Sequence, residues 1–561
     1  MKSTKLKGPA VLFALLGSGV ASAGGLFLPG AGVVSTTRAG AAVASADDAE
    51  AIAINPAGIA KTTGTKITLG IVAIDYLMSF ARAGNYDPIS EEATSYAGTP
   101  FPKVTNDPKP PLGIGAFQPV PVIGIVSDLN GAVPHLHLGF GIYAPNAYPF
   151  RNMNNVNGKP YYTQTANSYD FPTVFGAAPP PSRYDIIEEE AAIILPSLDI
   201  AYSITPDFDI GIRGSFGIAS LKSTVNVWGK PGNYEEWNKK DGIFTLDAKD
   251  NFVKTGGIGA AYRIGKNIEL GANYTLPINI HAKGHAYSVN GPEATLTPGN
   301  PVIVVPPPDS AAICAPGGVE GDLKGCVDVE LPMTAQIGGR WKFLDAAGKQ
   351  KGDIELDLDW EHWGDTCDYT KDPTCQNASD FHVNIDGQAT TAAMPDTGIT
   401  LKESLVQHGL QDTYAVRIGG SYNFDVGDNT VVARGGIGYD TAAARTGWER
   451  ADLDGAARTM ISAGGSYKLQ KWSFDAGFGV ILEGTRTQNR NCDPTGAVGS
   501  IGCSGNGDAP ADGYGQGAPT REGPDPINPI INANVQSEKP VNQGTFTSHY
   551  IMIMVGASTW F

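Results

Sequence analysis

The chain contains many segments in which apolar and polar residues alternate one by one. In residues 353–360, DIELDLDW, carboxylates alternate strictly with large apolar side chains. Successive side chains of a β-strand point to opposite faces, so one face suits an apolar medium and the other suits water. The same alternation recurs in residues 268–282, 333–343, 414–424 and 472–482. The pattern predicts an all-β protein built from amphipathic strands.

The connections between these segments alternate between short and long. The tight links cover residues 205–207, 264–267, 426–429 and 469–471. The long, Gly-, Pro- and Asn-rich links lie near residues 81–113, 146–190, 227–250, 292–325, 365–410 and 487–545. A soluble sandwich also has alternating strands, but tight turns at one rim and long loops at the other are typical of an outer-membrane barrel. Lipid cannot form hydrogen bonds with the unpaired backbone groups at a sheet edge, so such strands must close into a barrel.

We place fourteen strands, an even number that brings the C-terminus back to the periplasmic side. They lie near residues 66–80, 115–128, 134–145, 192–204, 208–226, 251–264, 268–290, 327–344, 352–364, 412–425, 429–441, 457–468, 471–486 and 547–561. The last predicted strand ends in Phe561. It resembles the closing strand that bacterial barrels present to their assembly machinery. The predicted fold is an all-β, 14-stranded antiparallel transmembrane β-barrel.

The N-terminus has the pattern of an export signal. Lysines occur in the first seven residues, an apolar run covers 9–16, and small residues at 21–23 suit a signal peptidase. The apolar run is shorter than the roughly 20 residues that cross a bilayer. We therefore expect residues 1–23 to be a cleaved signal peptide and not an anchor.

Composition narrows the classes of function. The chain has 561 residues with 71 Gly, 40 Pro and only 17% charged residues, which favours strands and turns. Its net charge of -17 gives no basic footprint for nucleic acid, so no nucleic-acid partner is expected. The chain lacks G-x-S-x-G, H-E-x-x-H and G-x-x-x-x-G-K-[ST] motifs, so we assign no catalytic residue and no cofactor.

The six cysteines form three close couples, each within or at the edge of one predicted outside loop. The couples are Cys314/Cys326, Cys367/Cys375 and Cys492/Cys503. Three local disulfides are the simplest pairing for an exported chain. None of the cysteines is spaced C-x-x-C, and no histidine lies at structural-zinc spacing from them, so no metal site is expected.

The segment ASADDAEAIAINPAGIAKT lies before the first strand, where no wall strand is expected. Asp47 or Asp48 can cap a short helix through Ile54. Pro56 forces Asn55 out of helical geometry. The helix should therefore stop sharply and leave a polar turn exposed.

Residues 38–60, RAGAAVASADDAEAIAINPAGIA, resemble the N-terminal hatch of the FadL family, also called OmpP1/FadL/TodX, whose members transport long-chain fatty acids and aromatic hydrocarbons. The N-P-A-G element, Asn55, Pro56, Ala57 and Gly58, is the most specific mark. The resemblance continues through residues 196–219, 330–343, 411–440 and 460–480.

The resemblance implies a hatch of residues 24–64 inside a barrel of residues 65–561. Without it, a barrel of this size would leave an aqueous hole. A helix that merely caps the barrel is the alternative.

The family takes its substrates from outside through an apolar groove, passes them to an internal pocket and releases them sideways through a gap in the wall. The candidates that we place in groove and pocket are Leu26, Phe27, Leu28, Val225, Val227, Trp228, Ile303, Val304, Asn279 and Lys283. For a gap near strand 3 they are Pro119, Pro121, Gly139 and Gly141. Proline removes ladder donors, and glycine makes a strand easy to kink.

One departure from the family affects the substrate. Family members that bind fatty acids carry basic residues on strands five and seven, where this chain has Ser220 and Asn279, with Lys222 and Lys283 nearby. The sequence therefore does not decide whether the substrate is a fatty acid, an aromatic hydrocarbon or an aliphatic hydrocarbon. We expect a monomeric passive transporter in the bacterial outer membrane, with membrane lipids, its substrate and the assembly machinery as partners. A hydrophilic diffusion porin, a barrel enzyme and an adhesin are the alternatives.

The acids of the segment DIELDLDW would suggest acid–base chemistry, since paired carboxylates perform it. A simpler explanation is charge pairing across neighbouring strands. Arg340, Lys342 and Arg417 are expected to project into the lumen and neutralise Asp353, Glu355, Asp357 and Asp359.

Overall fold

The computed structural model describes residues 25–145, 147–162, 177–229, 235–291, 293, 295–297, 300–314, 323–364, 380–391, 394–445, 447–488, 492–493, 501–502 and 541–561. Fourteen strands form one closed antiparallel wall, which confirms the predicted fold class. No helix in the described part of the chain is long and apolar enough to span a membrane.

The wall strands are numbered β1 to β14 in chain order. They are Thr65–Arg82, Gln118–Ser127, Leu136–Tyr143, Glu188–Thr205, Phe208–Val227, Gly242–Ile264, Ile268–Thr275 with Ile278–Asn290 (β7), Leu323–Leu331 with Thr334–Leu344 (β8), Gln350–Glu361, Thr413–Val426, Asn429–Asp440, Arg458–Lys468, Trp472–Gln488 and Gly544–Trp560. Each pairs with the next, and β14 pairs with β1 along its length, so the sheet closes into a barrel.

Shorter elements lie outside the wall. The short strands are Val104–Thr105, Phe150–Asn152, Asn155–Val156, Lys159–Pro160, Thr295–Thr297, Asn300–Val305, Phe381–Asp386, Gln388–Thr391, Met394–Thr400, Ser404–Val406, Cys492–Asp493 and Ile501–Gly502. The 3-10 turns outside the hatch are Ser90–Glu92, Leu129–Gly131 and Asp309–Ala311.

Two predicted strands are interrupted, and one is longer than expected. β7 breaks at residues 276–277 and β8 at 332–333, and both breaks contain a proline, which has no ladder donor. Above its break, β8 pairs with Phe381–Asp386 and not with β9. β6 begins at Gly242 and not near 251.

The outward face of the wall is apolar. Leu198, Ile212 and Ile337 are each more than half exposed there. Aromatic side chains flank the short turns at one rim; they are Trp341, Phe343, Tyr422, Phe424, Trp472 and Phe474. An apolar band bordered by aromatic residues is the surface that a bilayer requires.

The hydrophobic core lies inside the barrel, toward the long-loop rim. On the closing seam, Tyr76 of β1 stacks on Tyr550 of β14 at 4.3 Å between ring centroids, and Phe80 stacks on Phe546 at 4.4 Å. Tyr148, from the connection after β3, packs against Tyr76. Loop side chains therefore fill the outer half of the lumen.

Residues 25–62 fold against the inner face of the wall and are called the hatch below. The hatch contains the helices α1, Val33–Thr36, and α2, Ala51–Ile54, followed by the 3-10 helix Pro56–Lys61. Most of its alanines are buried, because small side chains let the backbone approach the strands. Asp48 accepts a hydrogen bond from the Glu50 backbone nitrogen at 2.9 Å, just before α2.

Asn55 does leave helical geometry, with φ -153° and ψ 103°, but the expected exposed turn is wrong, since Asn55 is buried. Its side-chain nitrogen donates to the Val43 oxygen at 2.8 Å and to the Ala260 oxygen of β6 at 3.1 Å. A Cβ on Gly211 would lie 2.4 Å from the Ala57 nitrogen, so only glycine admits the turn there. The polar turn is satisfied by the wall and not by water.

Cys314 and Cys326 form a disulfide, as predicted. The bond ties the end of a loop to the start of β8. Cys367, Cys375 and Cys503 lie outside the described residues, so Cys367–Cys375 and Cys492–Cys503 stay predictions.

Candidate transport path

The acids of β9 hold the hatch in place. Asp357 accepts hydrogen bonds from the backbone nitrogens of Ala42 at 2.7 Å and Val43 at 2.9 Å. Glu355 accepts from the Ala44 nitrogen at 2.6 Å. Charged acceptors make strong hydrogen bonds, especially when water is excluded. These carboxylates of β9, called the acid stripe below, therefore fix the backbone of the hatch.

The hatch also contributes a cation that pairs with the acid stripe. Arg38 is buried and pairs with Asp353 at 2.9 Å and with Glu355 at 2.8 Å. Sequence reasoning looked for partners on neighbouring strands only and missed this contact. Arg38 is the first residue of the segment that resembles the family's hatch, and this position was the sequence signal that could have pointed to the contact.

The predicted pairing of wall cations with the acids of β9 is partly correct. Arg340 donates to Asp353 at 2.6 Å, and Arg417 donates to Asp359 at 2.5 Å. Lys342 instead binds Glu269 of β7 at 2.7 Å, because β8 lies between β7 and β9 and its side chains reach both.

Three cavities follow one another from the long loops inward. The outer cavity, of about 90 Å³, lies between β4 to β6 and the loop strands Phe381–Asp386 and Ser404–Val406. Its apolar lining consists of Ile186, Leu221, Val225, Val227, Phe244, Leu246, Phe381, Val383, Ile385, Leu405 and Val406. Val225 and Val227 are thus placed where a groove was expected. Trp228 is not in this lining and packs, fully buried, against Tyr184 and Val541.

The middle cavity has a volume of about 80 Å³ and an almost wholly apolar lining. It shares Glu189, Leu221, Phe381 and Asp452 with the outer cavity. These four residues are called the neck below. At its inner end the middle cavity reaches Leu26.

The lower cavity, of about 150 Å³, is lined by Phe27 and Leu28 of the hatch and by Tyr143 and Pro145 at the end of β3. The Phe27 ring lies 5.8 Å from that of Trp363, which lines the middle cavity. The N-terminal end of the hatch therefore separates the middle and lower cavities.

The wall is interrupted beside the lower cavity. β3 pairs with β2 only up to Tyr143, and the chain rejoins the wall at Phe150, which pairs with Glu190. Within the described residues, positions 118–121 and 192–194 have no ladder partner facing this gap, which residues 144–145 and 147–149 border. This interruption is called the wall break below. Pro119 and Pro121 lie along it, paired on their other side with β1.

The sequence matches the family model described as outer membrane protein transport protein (OMPP1/FadL/TodX) over residues 14–519. The chain belongs to this family. It is accordingly an outer-membrane β-barrel, as predicted from the strand pattern and the hatch motif.

Solved structures of FadL-type barrels share the fold at low sequence identity. A Pseudomonas aeruginosa FadL homologue has a TM-score of 0.59 and 12% identity, covering 96% of this chain and 100% of the other. The Pseudomonas putida toluene transporter TodX has a TM-score of 0.54 and 13% identity, covering 96% and 100%. The CymD monoaromatic hydrocarbon channel has a TM-score of 0.51 and 12% identity, covering 95% and 98%. A search of curated proteins finds no match.

In this FadL-family barrel the predicted role of Gly139 and Gly141 is wrong. Both lie in an unbroken ladder, paired with Asp199 and Ser197 of β4. A Cβ on either glycine would come within 3.2 Å of the Ile52 side chain of α2. These glycines make room for the hatch, and the strand breaks only after Tyr143.

Four other candidates lie away from the cavity linings. Asn279 and Lys283 are exposed on the outer face of β7, while Ile278 and Ile280 of the same strand turn inward. Assigning them to the pocket was wrong by one residue of register. Ile303 is 39% exposed, and Val304 packs over the cluster that contains Val227 and Phe244.

Beneath the hatch of this FadL-family barrel lies a polar chamber of about 220 Å³. Its charged lining consists of Arg38, Asp47, Asp48, Lys66, Arg340, Asp353, Arg434, Lys468 and Asp475. A path straight through the barrel would lead an apolar molecule past these charges.

Proposed function

We propose that the protein is a passive outer-membrane channel for hydrophobic molecules, either long-chain fatty acids or aromatic and aliphatic hydrocarbons. One observation carries the proposal: an outer and a middle cavity with largely apolar linings lead from the outer loops to the lower cavity beside the wall break, whose lining combines apolar residues with Arg213, Asp359, Glu361 and Arg417. Two of the structural neighbours, a toluene transporter and a monoaromatic hydrocarbon channel, agree with this class of substrate.

Capture takes place in the outer cavity. Burying apolar surface there releases about 25 cal/mol per Å², so a hydrophobic molecule leaves water without an energy source. The neck and the middle cavity continue this apolar surface toward the hatch. Phe27 and Trp363 then have to separate for cargo to reach the lower cavity.

Release is proposed to occur sideways through the wall break. Tyr143 and Pro145 line the lower cavity and border the break, so cargo there is already beside lipid. Each buried CH₂ contributes about 0.8 kcal/mol, which makes movement into the bilayer favourable. The polar chamber and the hatch lie on the alternative path to the periplasm.

The proposed partners are the hydrophobic substrate and the lipids that face the apolar band. The exposed Phe561 after β14 is proposed to contact the barrel assembly machinery during insertion. We propose that the protein functions as a monomer, since the complete path lies within one barrel.

Replacing Leu221 by tryptophan is expected to lower uptake of a labelled hydrocarbon into protein-containing liposomes. Leu221 lines both sides of the neck, and a larger side chain would fill a passage between cavities of only about 90 and 80 Å³. Ile218→Trp is the matched control, since Ile218 lies on the same strand but faces outward and is 51% exposed. Equal uptake by both variants and the unmodified protein would refute this path, as would high ion conductance of the intact protein.

A further inference from the structure

The connection between β1 and β2 ends in a short apolar turn that projects from the wall. Residues 110–117, PPLGIGAF, are called the finger below. Its Leu112 and Ile114 side chains are 75% and 86% exposed, more than any other large apolar side chain in the described part of the chain. Residues 104–109 before it bury every second side chain, as a wall strand does. Apolar exposure of this degree is unusual for a loop that lies in water.

The strand ladder places the finger at the outer boundary of the apolar band. β2 has ten residues between Ser127, at the rim of the short turns, and Gln118, which directly follows the finger. A strand of about 9–11 residues crosses the hydrocarbon of a bilayer, so Gln118 lies close to its outer surface. On β1, whose Ile74 pairs with Gln118, the outward apolar run gives way to Asp75 at the same level. Lys109, at the base of the finger, is exposed there, where an ammonium group suits lipid head groups.

The backbone of the finger is suited to leave water. Its first two residues are prolines, which have no N–H group. The Gly113 nitrogen donates to the Pro110 oxygen at 2.9 Å, and the Ile114 nitrogen donates to the Phe117 oxygen at 3.0 Å. The Phe117 nitrogen donates back to the Ile114 oxygen at 3.3 Å. Groups that are paired within the turn avoid the cost of placing an unbonded donor in lipid.

The finger also contacts both edges of the wall break. β2 begins directly after the finger, and residues 118–121 form one edge. From the segment that borders the break, the Tyr148 hydroxyl donates a hydrogen bond to the Ala116 oxygen of the finger. Tyr148 in turn packs against Tyr76 of β1, with 6.1 Å between ring centroids. A displacement of the finger would therefore displace both edges of the opening.

We propose that the finger inserts Leu112 and Ile114 among the acyl chains of the outer leaflet and holds the edges of the wall break against lipid. Lipid is the medium that fits, because the tip lies at the boundary of the apolar band with Lys109 at its base. Burial of the two exposed side chains stabilises this position. Insertion does not depend on the proposed function, whereas the effect on uptake rests on it.

Insertion is tested by quenching of a fluorescent label with brominated lipid. Ile114→Cys carries a nitrobenzoxadiazole label in vesicles of phosphatidylcholine with brominated acyl chains, and the unmodified protein gives the background from native cysteines. Leu198→Cys, on the outward face of β4, is the reference for lipid. Glu91→Cys, an exposed position in the same connection as the finger, is the reference for water. Quenching at position 114 should be about threefold that at 91 or more, because an inserted side chain meets the bromines.

The link to the wall break is tested with a charged tip. Leu112→Asp combined with Ile114→Asp should lower uptake of a labelled hydrocarbon into liposomes about threefold or more, because charged side chains leave the acyl chains and draw the finger from the break. Leu112→Val with Ile114→Val is the matched control, since it keeps the tip apolar and should keep normal uptake. The heat-dependent shift in gel mobility shows whether each barrel is folded.

The outcomes separate insertion, anchoring and transport. Equal quenching at positions 114 and 91 would overturn insertion and the proposal with it. Normal uptake by a folded aspartate variant would overturn the role of the finger at the wall break. Absence of uptake by the unmodified protein would overturn the proposed function, while quenching still decides insertion. If the double aspartate variant does not fold, Leu112→Asp alone takes its place.

Discussion

Replacing Pro145 by tryptophan is expected to lower hydrocarbon uptake by about tenfold or more, because a large side chain at a closely packed constriction removes the passage. Pro145 lines the lower cavity and lies immediately beyond β3, in the segment that borders the wall break. The substitution leaves every paired strand unchanged, so the barrel should still fold. Uptake into liposomes and the heat-dependent shift in gel mobility measure the two properties separately.

Ala147→Trp is the matched control for this prediction. Ala147 belongs to the same segment and is half-buried, but it is not among the residues that line the lower cavity. A folded Pro145→Trp barrel that takes up hydrocarbon at the normal rate would show that cargo leaves by another path. Valine at Gly139 or Gly141 is a poorer test, because its side chain would meet Ile52 and disturb the hatch.

Deleting residues 25–62 is expected to raise single-channel conductance about tenfold or more, because a barrel of this strand number without its plug encloses water. A milder variant, Glu355→Ala with Asp357→Ala, should raise conductance partly. It leaves the backbone nitrogens of Ala42, Val43 and Ala44 without their carboxylate acceptors, at a cost of about 1–3 kcal/mol for each buried donor. Planar-bilayer recordings at fixed salt measure both effects.

Asp425→Ala is the control for the hatch variants. Asp425 pairs with Lys349 and Lys351 at an exposed turn, so its loss removes an acid from the sheet without touching the hatch. Conductance should then stay near zero. A deletion variant that folds and still does not conduct would mean that the hatch is not what seals the lumen.

The strand plan could be predicted because a membrane wall imposes one simple rule on the sequence. Each wall residue faces either lipid or lumen, so period-two alternation marks a strand, and tight turns fix its ends. The errors came where this rule does not apply. Pro277 and Pro332 interrupt the ladders of β7 and β8. β6 begins with residues 242–246 all buried, so its start has no period-two alternation to reveal it.

The site was less predictable because it depends on contacts between distant parts of the chain. Leu26, Phe27, Leu28, Val225 and Val227 were placed at cavities from apolar character and family resemblance. Asn279 and Lys283 failed because a shift of one residue reverses the face of a strand. The pairing of Arg38 with Asp353 spans 315 positions, and no local pattern reveals it.

The most direct test of the proposed route uses a neutral alkyl diazirine as cargo. The full protein in a bilayer is equilibrated with the probe and irradiated, and the labelled positions are mapped by mass spectrometry, with outward-facing Leu198 as the reference for labelling from lipid. If cargo leaves sideways, label is expected at Leu221, Trp363 and Pro145, and none at Lys66 or Lys468 in the polar chamber. Label in the polar chamber with Pro145 unlabelled would contradict lateral release and place the path straight through the hatch.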